Sequence, residues 1–189
     1  MKKVLAIVLL TACSAFAQQA ATPSQNPVTD NVRQRLARQS KILIATAEAM
    51  PADKYDYKPT KDNMTFGHLM GHIVEANNFV CSKIAGQEHK SDLKDGDPKD
   101  KVVAAMKESM DFCNKAMADA KDSQLNDEVE MFGGRKAPKA AAVVELPVDW
   151  ADHYGAAALY LRLNCILPPT AVMRQQAQKA AAEKKDEKK

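Results

Sequence analysis

The sequence predicts an all-α fold, a four-helix up-and-down bundle, on three observations. Apolar residues recur at helical spacing in four stretches, with no convincing strand alternation anywhere. Prolines, glycines and capping residues separate these stretches into segments of helix length. Each segment carries one apolar stripe, and four such stripes can be buried only against one another.

The first helix is expected to open near Thr29 or Asp30, both good N-caps, and to stop before Pro51. Leu36, Leu43, Ala47 and Met50 make its stripe. "PADKYDYKPTKDN" follows as a loop, because its prolines and aspartates disfavour regular structure. The second helix runs from about Thr65 to Ala85, with Leu69, Ile73, Ala76 and Val80 on one side. After the polar connection "GQEHKSDLKDGD", Asp97 and Pro98 supply an N-cap and a first-turn proline for the third helix. Val103, Met106, Met110, Cys113 and Met117 line that helix, which ends near Ala120. A loop containing Phe132-Gly133-Gly134 leads to a fourth helix over roughly 137–164. Pro147 lies within it, where it removes a hydrogen bond and presses on the Val143 carbonyl, so a kink is expected there.

The ends read differently. "MKK", the short run "VLAIVLL" and the small-residue ending "AFA" form a signal peptide over residues 1–17, which predicts a periplasmic or secreted protein. "LTAC", ending at Cys13, leaves a second reading open, a lipoprotein anchored through that cysteine. The apolar run is too short to span a membrane as a mature helix, and no transmembrane helix is expected. Residues 18–28 read as a flexible leader and 29–169 as the bundle. Residues 170–189 are charged, lack an apolar face and read as a solvated, disordered tail.

Loss of Lys2 and Lys3 with the signal peptide leaves 25 basic against 24 acidic residues. That balance, with few aromatic residues, excludes an electrostatic case for nucleic acid. Cys81, Cys113 and Cys165 remain, an odd number, so at least one thiol is free or paired outside the chain. With alternating helix directions, Cys81 and Cys165 fall at the same end of the bundle, and theirs is the disulfide to test.

The candidate site rests on helical geometry. At about 100° per residue, Asp149 and His153 fall on the same face of the fourth helix as Leu146, Trp150, Ala157 and Leu161. A carboxylate there is costly unless paired or bound to a cation. His72 falls at the edge of the second helix's stripe, while His68 lies further round, towards Glu75 and solvent. With the second and fourth helices taken as parallel, His72, Asp149 and His153 meet inside the bundle. Two histidines and one carboxylate suit zinc, nickel or ferrous iron. Three plainer readings stay open: a hydrogen-bonded core histidine, a simple Asp149–His153 pair, or Asp149 capping a helix that begins near Pro147.

Three stretches carry a family resemblance: "MPADKYDYKPT" at 50–60, "TFGHLMGHIVEANNFVCS" at 65–82 and "DWADHYGAAALYLRLNCILPP" at 149–169. On these the chain resembles the DinB-like family of helical bundles. The resemblance implies a divalent metal held by three side chains, usually histidines, at the positions of His72, Asp149 and His153. The aspartate at 149 departs from that pattern, and so does Cys165, where a glycine commonly follows the asparagine. His68 is a pocket neighbour rather than a ligand. Tyr160, two turns after His153, reads either as a pocket neighbour or as a core tyrosine with a satisfied hydroxyl. Asp152, beside His153, points away and reads as a surface residue. The resemblance further implies a metal-dependent hydrolase or thiol transferase acting on a small molecule, with homodimers common among relatives. A non-catalytic binding or structural bundle that has lost the metal chemistry is the alternative.

Overall fold

The computed structural model describes residues 23–186. The expected signal peptide, Cys13 with its alternative lipoprotein reading, and the start of the expected leader lie outside the described residues. Four long helices form the body: α1 (Pro27–Ala49), α2 (Phe66–Ala85), α3 (Lys99–Asp119) and α4 (Lys139–Leu163). Around the bundle, α1 packs on α3, α3 on α2, α2 on α4 and α4 on α1. The expected stripes face the core: Leu36, Leu43, Ala47 and Met50 are fully buried, as are Ile73, Met106, Met110, Cys113 and Met117.

The all-α bundle is as expected, but its connectivity is not up-and-down. Asn77 bonds Ser109, and Cys81 is joined to Cys113, so α2 and α3 rise in the same direction. Trp150 bonds Asn77, and Tyr160 bonds the Met64 carbonyl just ahead of α2, so α2 and α4 are antiparallel rather than parallel. Arg33 near the start of α1 reaches carbonyls at the end of α3, and Lys99 at the start of α3 reaches those of Glu48 and Met50. The order of directions is therefore up, down, down, up. Residues 86–98 make this possible: thirteen extended residues reach about 40 Å, more than the roughly 30 Å length of α2. This crossover runs back along α2, with His89 against Asn78 near its end and Asp95 against His68 near its start.

The parallel α2–α3 pair also overturns the expected disulfide. Cys81 and Cys113 stand level, with Cα atoms 5.1 Å apart, and form the bridge; Cys165 is free and exposed. Cys165 sits at φ 59° just after α4, in the left-handed region that favours glycine. The Ile166 N–H closes the helix end on the Leu161 carbonyl.

Other local expectations are also revised. The α3–α4 connection holds a two-stranded antiparallel hairpin, β1 (Glu128–Glu130) with β2 (Lys136–Pro138), where no strand was foreseen. Helix α4 begins at Lys139 and keeps Pro147 inside it, as expected, rather than starting at that proline. Pro98 occupies the cap position of α3 rather than its first turn. The supposed tail forms a helix, α5 (Pro169–Asp186), exposed along most of its length and tied to α4 through Tyr154 and Thr170. Its alanines, glutamines and lysines favour helix without needing a buried face.

Helix α1 begins at Pro27, and its cap comes from far along the chain. The Asp122 carboxylate accepts from the Val28 and Thr29 N–H groups and from the Thr29 hydroxyl. Partial burial opposes the charge there, but these bonds outweigh it and hold the Asp122 pKa below the usual carboxylate value.

At the centre, the Trp150 indole N–H donates to Asn77 Oδ1, and Asn77 Nδ2 donates to the Ser109 hydroxyl at 3.0 Å. All three side chains are buried. Replacing Asn77 by Ala strands the indole N–H in the core, and urea unfolding should show a loss of about 1–3 kcal/mol. Peptide mapping without reductant should recover the Cys81–Cys113 linkage with Cys165 free. Removing the bridge, which closes a 32-residue separation, should cost about 3–4 kcal/mol. Asp122 makes a pH-dependent contribution. Its folded pKa lies below its unfolded one, so the stabilisation is full above about pH 4 and is lost as pH falls through the folded value. Asp122→Ala should therefore lower the melting temperature at neutral pH, and the gap to the unmodified protein should close in acid.

Candidate functional site

Helices α2 and α4 cross at the Asn77–Trp150 bond. Because they are antiparallel, stepping back along α2 from Asn77 and forward along α4 from Trp150 leads to the same level. His72 and His153 meet there, with ring centroids 4.9 Å apart and planes inclined by 41°. Both are half-buried.

Asp149 lies one turn before His153 on α4. The His153 Nδ1 is 2.8 Å from the Asp149 backbone carbonyl and 3.3 Å from Asp149 Oδ1. A carbonyl oxygen only accepts, so Nδ1 carries the hydrogen in this contact, and in the neutral ring that tautomer leaves the Nε2 lone pair free. A carboxylate or carbonyl behind a histidine ring in this way fixes its tautomer and orientation, as metal-ligating histidines commonly require.

The other carboxylate oxygen, Asp149 Oδ2, is buried and has no hydrogen-bond partner among the described residues. Burial pushes the Asp149 pKa up, while the neighbouring His153 and His72 pull it down. An orphaned, buried carboxylate oxygen is costly, and a cation or a proton relieves that cost.

The three predicted residues thus share one neighbourhood without closing on a common point. Among the described residues, no group of three His, Cys, Asp or Glu side chains is placed to hold a metal ion. The two imidazoles lie against each other, and the Asp149 carboxylate sits beside the His153 ring. His68 is turned away, exposed, with its Nδ1 3.1 Å from Asp95 of the crossover.

Two openings flank the pair. His153 lines an open groove of about 400 Å³ with Asp62, Leu69, Asp152, Leu159 and Tyr160. His72 and His68 line a smaller recess of about 60 Å³ beneath the crossover, beside Glu75 and Leu93. Tyr160 satisfies both readings of it: its hydroxyl donates to the Met64 carbonyl at 2.9 Å, and it walls the groove. Burial, and secondarily Tyr57, pushes the Tyr160 pKa up.

Sequence reasoning missed three contributors. Asp152 is exposed, as read, yet it borders the same groove as His153. Asp62 belongs to a loop whose placement only the fold reveals. Asn77 left a signal: it is a polar residue one turn from both Ile73 and Cys81 on a buried face.

Solved structures share this architecture. The fold is similar to that of a DinB-like protein from Bacillus cereus, with a TM-score of 0.64 and 16% identity, covering 74% of this chain and 95% of that one. A DinB-like protein from Bacillus subtilis gives 0.57 and 20%, covering 70% and 90%. A mycothiol-dependent maleylpyruvate isomerase, as its H52A mutant, gives 0.54 and 12%, covering 69% of this chain and 59% of that one. No curated protein matches the chain. At these identities the structural likenesses concern the fold. The sequence itself matches the model of the DinB superfamily over residues 35–156, most of the bundle, and the chain belongs to that superfamily.

Proposed function

We propose that His72 and His153, with Asp149, bind a divalent cation, and that the groove beside His153 receives a small molecule on which the protein acts as a hydrolase or thiol transferase. The supporting observation is the apposed imidazole pair backed by a buried carboxylate with an orphaned oxygen. The donor chemistry fits zinc, nickel or ferrous iron. When bound, such a cation supplies Lewis acidity that makes a water or thiol nucleophilic near neutral pH.

The chain's own residues have separable roles in this reading. His72 and His153 hold the ion from opposing helices, so the bundle core sets their separation. Asp149 orients the His153 ring and adds negative charge. Asp152 and Asp62 at the groove rim are carboxylates able to accept a proton. Leu69, Leu159 and Tyr160 give the groove an apolar wall for the body of a substrate.

Thiol transfer takes support from the isomerase neighbour, which is mycothiol-dependent. The hydrolase reading takes support from export, which we also propose, on the signal-like start. The buried Cys81–Cys113 bridge suits the oxidising compartment that export implies. The carboxylate at 149, where relatives carry a third imidazole, favours the alternative of a binding bundle without catalysis.

Elemental analysis of protein purified without a histidine tag separates these readings. The expected result is one divalent ion per chain, lost in His72→Ala and in His153→Ala and retained in His68→Ala. Asp149→Ala should weaken affinity by roughly 10–100-fold. Absence of metal from the unmodified protein, with uptake indifferent to His72→Ala, would leave only the non-catalytic reading.

A further inference from the structure

Three helix ends meet well away from the histidine pair. Ile84 and Ala85 close α2, Asp119 closes α3, and Lys139 opens α4. Together they line a partly enclosed cavity of about 220 Å³. Its floor is apolar: Ile84 and Ala116 are buried, and Phe112, stacked by His89 of the crossover, forms a wall. The cavity shares no lining residue with either opening beside the histidine pair. Ile84 lies three turns along α2 from His72, on the order of 18 Å away.

The cavity holds charges of both signs, and they are poorly paired. The Lys139 side chain is only 13% exposed, and its Nζ makes one ion-pair contact, 3.4 Å to Asp127 Oδ2. An ammonium carries three donors, and a lysine covered this far usually has them taken. Lys115 and Asp119 stand one turn apart on α3 and both line the cavity, yet among the described residues neither has an ion-pair partner. The helix ends add to the division of sign. Among the described residues the Ile84, Ala85 and Asp119 carbonyls accept no hydrogen bond. They stand at the negative ends of α2 and α3, whereas Lys139 stands at the positive end of α4.

We propose that this cavity binds a small zwitterion, an α-amino acid with an apolar side chain. Its carboxylate meets Lys139 and Lys115, its ammonium meets Asp119 and the free carbonyls, and its side chain lies on Ile84, Ala116 and Phe112. A simple carboxylate would bring a like charge towards Asp119, and a simple amine would bring one towards two lysines. A molecule carrying both signs avoids both penalties. The volume lies below the usual range for drug-sized ligands, which limits the occupant to a molecule of few atoms. This second site does not rest on the metal reading.

Amide NMR spectra of nitrogen-labelled protein, titrated with L-leucine to about 10 mM, cover the affinity open to so small a ligand. The expected result is saturable shifts at Ala85, Ala116 and Lys139 with a Kd below about 1 mM. The same skeleton without the ammonium, 4-methylpentanoate, and without the carboxylate, 3-methylbutylamine, should each bind at least about tenfold more weakly. Lys139→Met and Lys115→Met should weaken leucine by about tenfold or more. Asp119→Asn should weaken leucine and tighten 4-methylpentanoate. Lys115 and Asp119 are exposed, so their variants test the site even if Lys139→Met disturbs the fold. His72→Ala should leave leucine affinity unchanged, which keeps this result separate from the fate of the metal reading. Any of four results overturns the proposal: no shifts in the cavity at the highest leucine concentration, shifts that centre on His72 and vanish in His72→Ala, either single-charge analogue binding as tightly as leucine, or leucine affinity indifferent to both Lys115→Met and Asp119→Asn.

Discussion

The amide of Asn77 accepts from the Trp150 indole and donates to the Ser109 hydroxyl, and so joins α2, α3 and α4 at one buried point. Apolar side chains alone would let these helices slide or rotate at small cost. A buried amide with fixed partners does not, because any shift leaves a polar group unpaired in the core. The Cys81–Cys113 bridge, one turn along, holds the same pair of helices in the same register. His72 and Asp149 lie close to this node in the chain, and the meeting of His72 with His153 follows from it.

A second set of restraints acts at the ends of α1 and α3. Asp122 closes the start of α1, Arg33 closes the end of α3, and Lys99 closes the end of α1. Each satisfies helix-terminal groups that have no partner within their own helix. The two antiparallel helices thus cap one another. This leaves α2 and α4, the pair that carries the candidate site, to be positioned by the core.

Much of this was legible in the residues. Thr65 caps α2 as its position suggests, with its hydroxyl accepting from the His68 N–H, and Gly86 ends the helix at φ 68°. The apolar stripes identified the buried faces, and the polar residues breaking those faces identified the candidate site. Helix direction was not legible. A thirteen-residue polar connection serves equally as a loose turn or as a full-length return, and only packing decides. The disulfide pairing was misread with it, since it depends on which helices run together. The cap on α1 could not be foreseen, because Asp122 lies over ninety residues from the N–H groups it binds. The placement of His72 beside His153 survived the error in direction because both histidines sit well inside their helices, at levels that meet in either orientation.

The histidine ring nitrogens report most directly on whether the core builds a cation site at this crossing. Long-range nitrogen–proton correlation spectra of the metal-free protein should show His153 protonated at Nδ1 and bare at Nε2. One equivalent of zinc should then move the His72 and His153 resonances together, leaving His68 and His89 in place. An unprotonated Nδ1 on His153, or zinc that shifts the exposed histidines while the apposed pair stays unchanged, would contradict the account.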